Sequence, residues 1–214
     1  MTHPDRPARS CALESSPKRR QILAGAREVF AETGYERTSV DHIAARAGVS
    51  KATVYHHFLD KKTLFVACFS EEADALRDQV RCKLLRSEPA GAIAPALQAV
   101  GEFMVTLALA PPIVALYRNT AAEVERFPEL GRLLYERGPA AMQAAVAEYL
   151  QRWHEAGALA LVDPQAAATH FILLCHGDLF WRSQFGVLPE PVAPTIAVTV
   201  ERGVAVFLAA YAAA

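Results

Sequence analysis

Apolar residues return every three or four positions through most of the chain and almost nowhere alternate, the spacing that places them along one face of a helix. From Pro17, the residues Ile22, Leu23, Ala26, Val29 and Phe30 keep this period until Gly34 supplies a stop, which predicts a first helix over 17–33. Thr38-Ser39-Val40-Asp41 then reads as a helix start, with the Thr38 hydroxyl as cap and a carboxylate three residues later. Val40, Ile43, Ala44 and Ala47 give this second helix one apolar face, and Gly48 ends it. Ser50 caps a third helix reaching Phe58. Two short helices joined by a glycine-containing turn form a helix-turn-helix, here over 39–58. Asp60 caps a long helix that runs to Arg86, about 40 Å at 1.5 Å per residue.

Beyond Pro89 the segments are more apolar, and helices are expected over 90–109, 112–125, 128–156, 164–185 and 192–211. Pro95 shortens the first of these and Pro139 kinks or splits the third. Residues 1–16 show no periodicity and read as a disordered tail. The fold class is therefore all-α.

Composition agrees with a packed helical protein of 214 residues, since 52% are hydrophobic and only 11 are glycine. The overall charge of −1 conceals a division. Residues 1–64 carry 11 Lys and Arg against 7 Asp and Glu, whereas 65–214 carry 11 against 16. A basic head on an acidic body points to a polyanion at the head alone. Cys11, Cys68, Cys82 and Cys175 are scattered and read as reduced thiols. Arg6 and Arg9 are not followed by an apolar leader segment, and the longest uncharged run, Phe103 to Tyr117, is broken by Pro111-Pro112. No membrane partner is expected, and the expected location is the cytoplasm.

The third helix spans about 13 Å, a match for a major groove about 12 Å wide. Val54 and Phe58 should pack inward against Ile43 and Phe30, leaving Lys51, Ala52, Thr53, Tyr55 and His56 outward. Lys51 and Thr53 can bond base edges, Ala52 can touch a thymine methyl, and Tyr55 and His56 can reach phosphates. The start of the second helix offers backbone N–H groups and the Thr38 hydroxyl to another phosphate. Lys61 and Lys62 sit in the first turn of the long helix, where the dipole prefers anions, and a DNA backbone beside them would account for that.

Residues 19–69 resemble the N-terminal domain of the TetR/AcrR family of transcriptional regulators. The resemblance is carried by Ile22-Leu23-Ala24, Ala26, Phe30, Gly34-Tyr35, Thr38-Ser39-Val40, Ile43-Ala44, Ala47-Gly48-Val49-Ser50, Thr53-Val54-Tyr55, His57-Phe58, Lys61 and Leu64-Phe65. Two positions depart from the pattern: Leu59, where a small or polar residue is usual, and Lys62, where an acidic one is usual. Leu116-Tyr117-Arg118, Ala122-Glu123, the run from Arg126 to Leu130, the run from Tyr135 to Pro139, Gly157 to Leu161 and Asp163-Pro164 resemble the AefR-like C-terminal domain of that family. The resemblance implies an N-terminal three-helix DNA-binding domain at 17–64, joined by a long helix to a larger helical effector-binding and dimerisation domain at 65–214.

It also implies a homodimer paired through the last two helices, a pseudo-palindromic double-stranded DNA operator, and repression relieved by a small hydrophobic effector. The implied DNA contacts are Thr38, Ser39, Ser50, Lys51, Ala52, Thr53, Tyr55, His56 and Lys61. Phe171, Leu174, Phe180 and Trp181, with Ile196, Val200, Val204, Phe207 and Leu208, supply apolar surface for the pairing. Phe103, Leu107, Tyr117, Trp153, His170, Cys175 and Trp181 are candidates for the effector pocket.

No cofactor and no metal are expected. His176 and Asp178, two apart on a helix, diverge by about 200° and make a poor metal pair. Two alternatives stay open: a regulator of the same kind without an effector, and a helical enzyme or ligand carrier with a vestigial helix-turn-helix, for which no catalytic constellation is visible.

Overall fold

The computed structural model describes residues 16–86 and 92–213, so the N-terminal tail up to residue 15, with Cys11, lies outside the described residues. Within them are eleven helices and one isolated antiparallel bridge, Leu159 with Ala212. The head comprises α1 (Pro17–Arg37), α2 (Val40–Arg46), α3 (Lys51–His57) and the start of α4 (Lys61–Arg86). The body adds α5 (Ile93–Ala108), α6 (Pro111–Glu123), α7 (Pro128–Arg137), α8 (Pro139–Glu155), α9 (Pro164–His176), α10 (Leu179–Phe185) and α11 (Val192–Tyr211).

Local chemistry explains most boundaries. Ser16 caps α1 by accepting the Arg19 N–H, and Pro17, Pro111, Pro128, Pro139 and Pro164 open their helices, where a missing N–H costs nothing. Gly34 interrupts α1 with φ 74°, and one further turn carries the chain to Arg37. Asp163 caps α9 by accepting from Gln165 and Ala166.

Two expectations need correction, and a third is decided between its alternatives. The cap of α2 is Ser39, whose hydroxyl accepts the His42 N–H at 3.1 Å, while Thr38 is buried and turned inward. The stretch 128–156 is split into two helices at Pro139, the second of the two outcomes expected there, because Gly138 ends α7 and Pro139 starts α8. The stretch 164–185 is also two, divided at Gly177 with φ 51°, where a Cβ would stand 2.9 Å from the Thr199 side chain.

One apolar cluster fills the head: Ile22, Leu23, Val29 and Phe30 from α1, Ile43 from α2, Val54 and Phe58 from α3, and Leu64 and Phe65 from α4. Each such side chain contributes about 1.5–3 kcal/mol on full burial. The cluster does not stop at the head, since Leu116 of α6 and Leu130 and Leu134 of α7 belong to it. A second cluster joins α5, α8, α9 and α11 and receives Val80 and Leu84 from the far half of α4. The long helix is thus cemented at one end into each core.

By length and composition alone, α11 could cross a membrane. In the fold it packs on α9 and α5, burying Ile196, Val200, Val204 and Phe207. Those residues and Phe171 were expected at a dimer interface and are instead core within one chain. From α9 to α11, the large apolar side chains left outside among the described residues are Leu173, Trp181, Phe185, Val187, Val198 and Val206.

At the end of α9, His176 holds its Nε2 buried without a hydrogen-bond partner, and burial lowers its pKa below the ordinary value of about 6.5. As pH drops below the ordinary value the unfolded chain takes up a proton that the buried ring resists, so stability falls with falling pH. His176→Leu is expected to flatten the fall in unfolding free energy as pH drops below about 6.5. An equal slope in both proteins would show that His176 does not contribute.

Candidate nucleic-acid interface

The candidate reading face is built by the turn between α2 and α3. Ala47 closes α2, Gly48 takes φ 62°, and the Gly48 and Val49 N–H groups donate back to the Ala45 and Ala44 carbonyls at 3.2 and 3.0 Å. This pair of bonds is a Schellman closure, and it fixes the angle at which the chain leaves the helix. Gln21 of α1 pins the same turn from behind, its amide donating to the Ala47 carbonyl at 2.7 Å. Gly25 lets α1 and α2 meet closely, since a Cβ there would lie 2.8 Å from the Ala47 backbone. Arg46 adds a bidentate pair to Glu32, 2.8 Å at both oxygens, and a further bond to Glu28. That pairing raises the Arg46 pKa and lowers that of Glu32.

On this platform Ser50 caps α3, its hydroxyl accepting the Thr53 N–H at 3.1 Å and lying 2.8 Å from the Thr53 hydroxyl. Val54 and Phe58 are buried, which fixes the rotation of α3 and leaves its other face outward. Ser39, Ser50, Lys51, Ala52, Tyr55 and His56 are exposed, and Thr53 is half-buried. Lys51 pairs with Asp41 of α2 at 2.9 Å, and this bond raises the Lys51 pKa. Seven of the nine candidate contacts therefore lie on the surface at α2 and α3.

The other two are used internally. The Thr38 hydroxyl donates to the Gly34 carbonyl at 2.7 Å and lies 2.6 Å from the Thr33 hydroxyl. The Lys61 ammonium donates to the carbonyls of Tyr35, Thr38 and Glu36 at 2.8, 3.0 and 3.3 Å, and sits 4.3 Å from the Tyr35 ring centre. Burial lowers its pKa. Lys61 thus gathers carbonyls of the last turn and cap of α1. Lys62, expected beside a DNA backbone, forms an ion pair with Glu129 and lies over the Phe127 ring.

Those contacts mark the joint between head and body. Phe127, between α6 and α7, meets Tyr35 edge-on at 5.1 Å, and Arg126 beside it pairs with Glu36. No local pattern announces these partners, which lie far apart in sequence. Removing the Thr38 hydroxyl takes the 2.7 Å donor from the Gly34 carbonyl and leaves the Thr33 hydroxyl at 3.5 Å, so Thr38→Val is expected to cost about 1 kcal/mol of stability. DNA affinity of the folded variant should be unchanged. A selective loss of affinity at unchanged stability would return Thr38 to the DNA surface.

The effector candidates do not share one wall. Trp153 and Cys175 are buried in the body core, where burial pushes the Cys175 thiol up to about 12. Phe103 and Leu107 are half-buried against that core, and Tyr117 packs edge-on to Phe180 at 5.8 Å. His170 and Trp181 are exposed, with His170 Nδ1 2.5 Å from the Tyr211 hydroxyl.

Comparison with known proteins follows the same division. Residues 22–68 match the family described as bacterial regulatory proteins of the tetR family, and residues 95–213 match the AefR-like transcriptional repressor C-terminal domain. The chain belongs to the TetR family. The repressor AcnR of Corynebacterium diphtheriae is 42% identical over 67 residues, 31% of this chain and 35% of that one. The activator FasR of Mycolicibacterium smegmatis is 42% identical over 69 residues, 32% of each. These matches span about a third of the length of the curated relatives.

Solved structures extend the likeness to nearly the whole TetR-family chain. A TetR-family regulator from Mesorhizobium loti superposes with a TM-score of 0.88 at 29% identity, covering 93% of this chain and 98% of that one. The flavonoid-responsive regulator FrrA gives 0.74 at 32% identity, covering 91% and 97%. These relatives are transcriptional regulators, not enzymes.

Proposed function

We propose that this chain is a homodimeric, sequence-specific DNA-binding repressor that a small hydrophobic effector releases from a pseudo-palindromic operator. The observation that carries the reading is the outward row of Lys51, Ala52, Thr53, Tyr55 and His56 on a helix whose rotation is fixed by buried Val54 and Phe58. That row joins a cation and a hydroxyl for base edges to groups that can hold phosphates. Repression is favoured by the repressor C-terminal domain matched over 95–213.

Dimerisation is supported by the apolar surface on α9, α10 and α11, where Trp181 and Phe185 are 62% and 75% exposed. Aromatic side chains that large, held together on one surface, gain most by being covered in a symmetric pair. An effector is supported by the likeness to FrrA, a flavonoid-responsive regulator of the same fold.

Two substitutions divide the roles on α3. Tyr55→Phe removes a hydroxyl suited to phosphate and should weaken binding to all DNA sequences alike. Thr53→Ala should instead change which bases are preferred, by about 1–3 kcal/mol at the affected position. Competitive selection among randomised DNA fragments reads both effects. Wild-type affinity and preference in both variants would show that α3 does not present this face to DNA.

A further inference from the structure

We propose that a cavity between α1, α4 and α6 is the binding site for a small neutral aromatic molecule, which sets the position of the DNA-reading head on the body. This rests on the reading of the chain as a ligand-responsive regulator, and adds where the ligand sits and what chemistry it has. The cavity measures about 280 Å³ and is lined from the head by Phe30 and Ala31 of α1 and by Phe65 and Cys68 of α4. Its other side is α6 of the body, through Ala115 and Leu116. None of the seven residues singled out from the sequence as a pocket belongs to it.

Size and lining define the ligand. An apolar cavity of about 150 Å³ is enough to hold benzene, so this one suits a molecule of one or two rings. Phe30 and Phe65, edge-on at 4.7 Å, are buried behind the wall and meet a ligand only at their edges, with the buried Cys68 sulfur as a polarisable neighbour. The charged residues at the cavity are already engaged with opposite charges: Arg27 with Glu71 at 3.2 Å, and Glu28 with Arg46 at 3.0 Å. The site therefore offers a ligand little net charge, and an ionised group would have to compete with one of these pairs. Asn119 supplies an amide able to donate or accept, which suits a phenolic hydroxyl or a carbonyl.

Position makes the site regulatory. One wall is head and the other is body, so the width of the cavity is the spacing between α1 and α6. A molecule that fills it favours the head orientation in which the cavity is open. It shifts DNA affinity by the ratio of its affinities for that orientation and for the one bound to the operator. The α1 helix also carries Gln21, which holds the turn before α3, and Arg46 of α2 reaches Glu28 at the cavity. Movement of α1 is thereby passed to the reading face.

The test uses the full chain, 2-naphthol as probe, and two substitutions that fill the cavity. Ala115→Trp places an indole inside it, and Ala31→Phe fills it from an exposed position on α1, where folding is least disturbed. Wild type should bind one 2-naphthol per chain, seen by fluorescence titration, and each folded variant should bind at least tenfold more weakly. The probe should also change wild-type affinity for the selected operator and leave the affinity of both variants unmoved. Absence of binding to wild type, or binding unaltered in Ala31→Phe, would overturn the site. Binding blocked by both substitutions with no effect on operator affinity in wild type would overturn its coupling to the head. If a wider set of small molecules releases wild type and both variants equally, the chain is ligand-responsive through another site. If none releases wild type, the ligand-responsive reading itself fails.

Discussion

Lys51→Glu is expected to abolish operator binding under physiological salt while leaving the fold intact. Lys51 opens α3 on its outward face, where a cation can reach a guanine edge or a phosphate. Loss of such a contact costs about 1–3 kcal/mol, and a dimer loses it in both half-sites, about 2–6 kcal/mol together. That corresponds to a fall of about 30-fold to more than 10,000-fold in affinity, before the repulsion between the new carboxylate and DNA is counted. Stability should change by less than about 0.5 kcal/mol, because the pair with Asp41 is solvent-exposed and screened. Fluorescence anisotropy with the selected operator, beside chemical denaturation, reads both numbers. Retained operator affinity in Lys51→Glu would remove α3 from the DNA surface.

Gly203→Val is expected to have the opposite signature. A Cβ at Gly203 would lie 2.6 Å from the Leu174 carbonyl oxygen and 2.7 Å from its carbon, backbone atoms of α9 that cannot rotate away. The two helices would have to part, opening the contact in which Phe171 and Phe207 meet edge-on at 5.2 Å. Overpacking of this kind costs about 3 kcal/mol, the upper part of its usual range. For a chain of this size that lowers the melting temperature by about 6–12 °C. The same α9–α11 pair carries the exposed Leu173, Val198 and Val206, so dimer formation should weaken with it. A melting temperature within about 2 °C of wild type would show that the helices can separate there at little cost.

The helix-turn-helix was legible because its determinants are local. Gly48, Ser50 and the apolar period of α2 and α3 act within four or five residues, and the face left outward follows from Val54 and Phe58 alone. Thr38 and Ser39 show the limit of that logic: two adjacent hydroxyls could each cap α2, and only packing against Thr33 and Gly34 decides that Thr38 turns inward. Lys61 and Lys62 were open to misreading for the same reason, as their partners Tyr35, Phe127 and Glu129 are brought to them by the tertiary fold.

The dimer surface was harder still. Helix α11 is apolar on more than one side, so its sequence does not show which side faces its own chain. The break at Gly177 had a visible signal, a glycine between His176 and Asp178, but one glycine inside a strongly helical run is outweighed by the residues around it. The cavity at the head–body joint has no sequence signal, because Ala31, Cys68 and Ala115 line it only once α1, α4 and α6 have met.

The central claim is tested most directly by selecting genomic fragments bound by the purified chain at about 150 mM salt, where sequence-blind binding is weak. A dimeric reader predicts enrichment of a pseudo-palindrome whose half-sites are about one helical turn apart, 10–10.5 base pairs, or a multiple of it. Retention without sequence preference, or enrichment of a single unrepeated half-site, would contradict it.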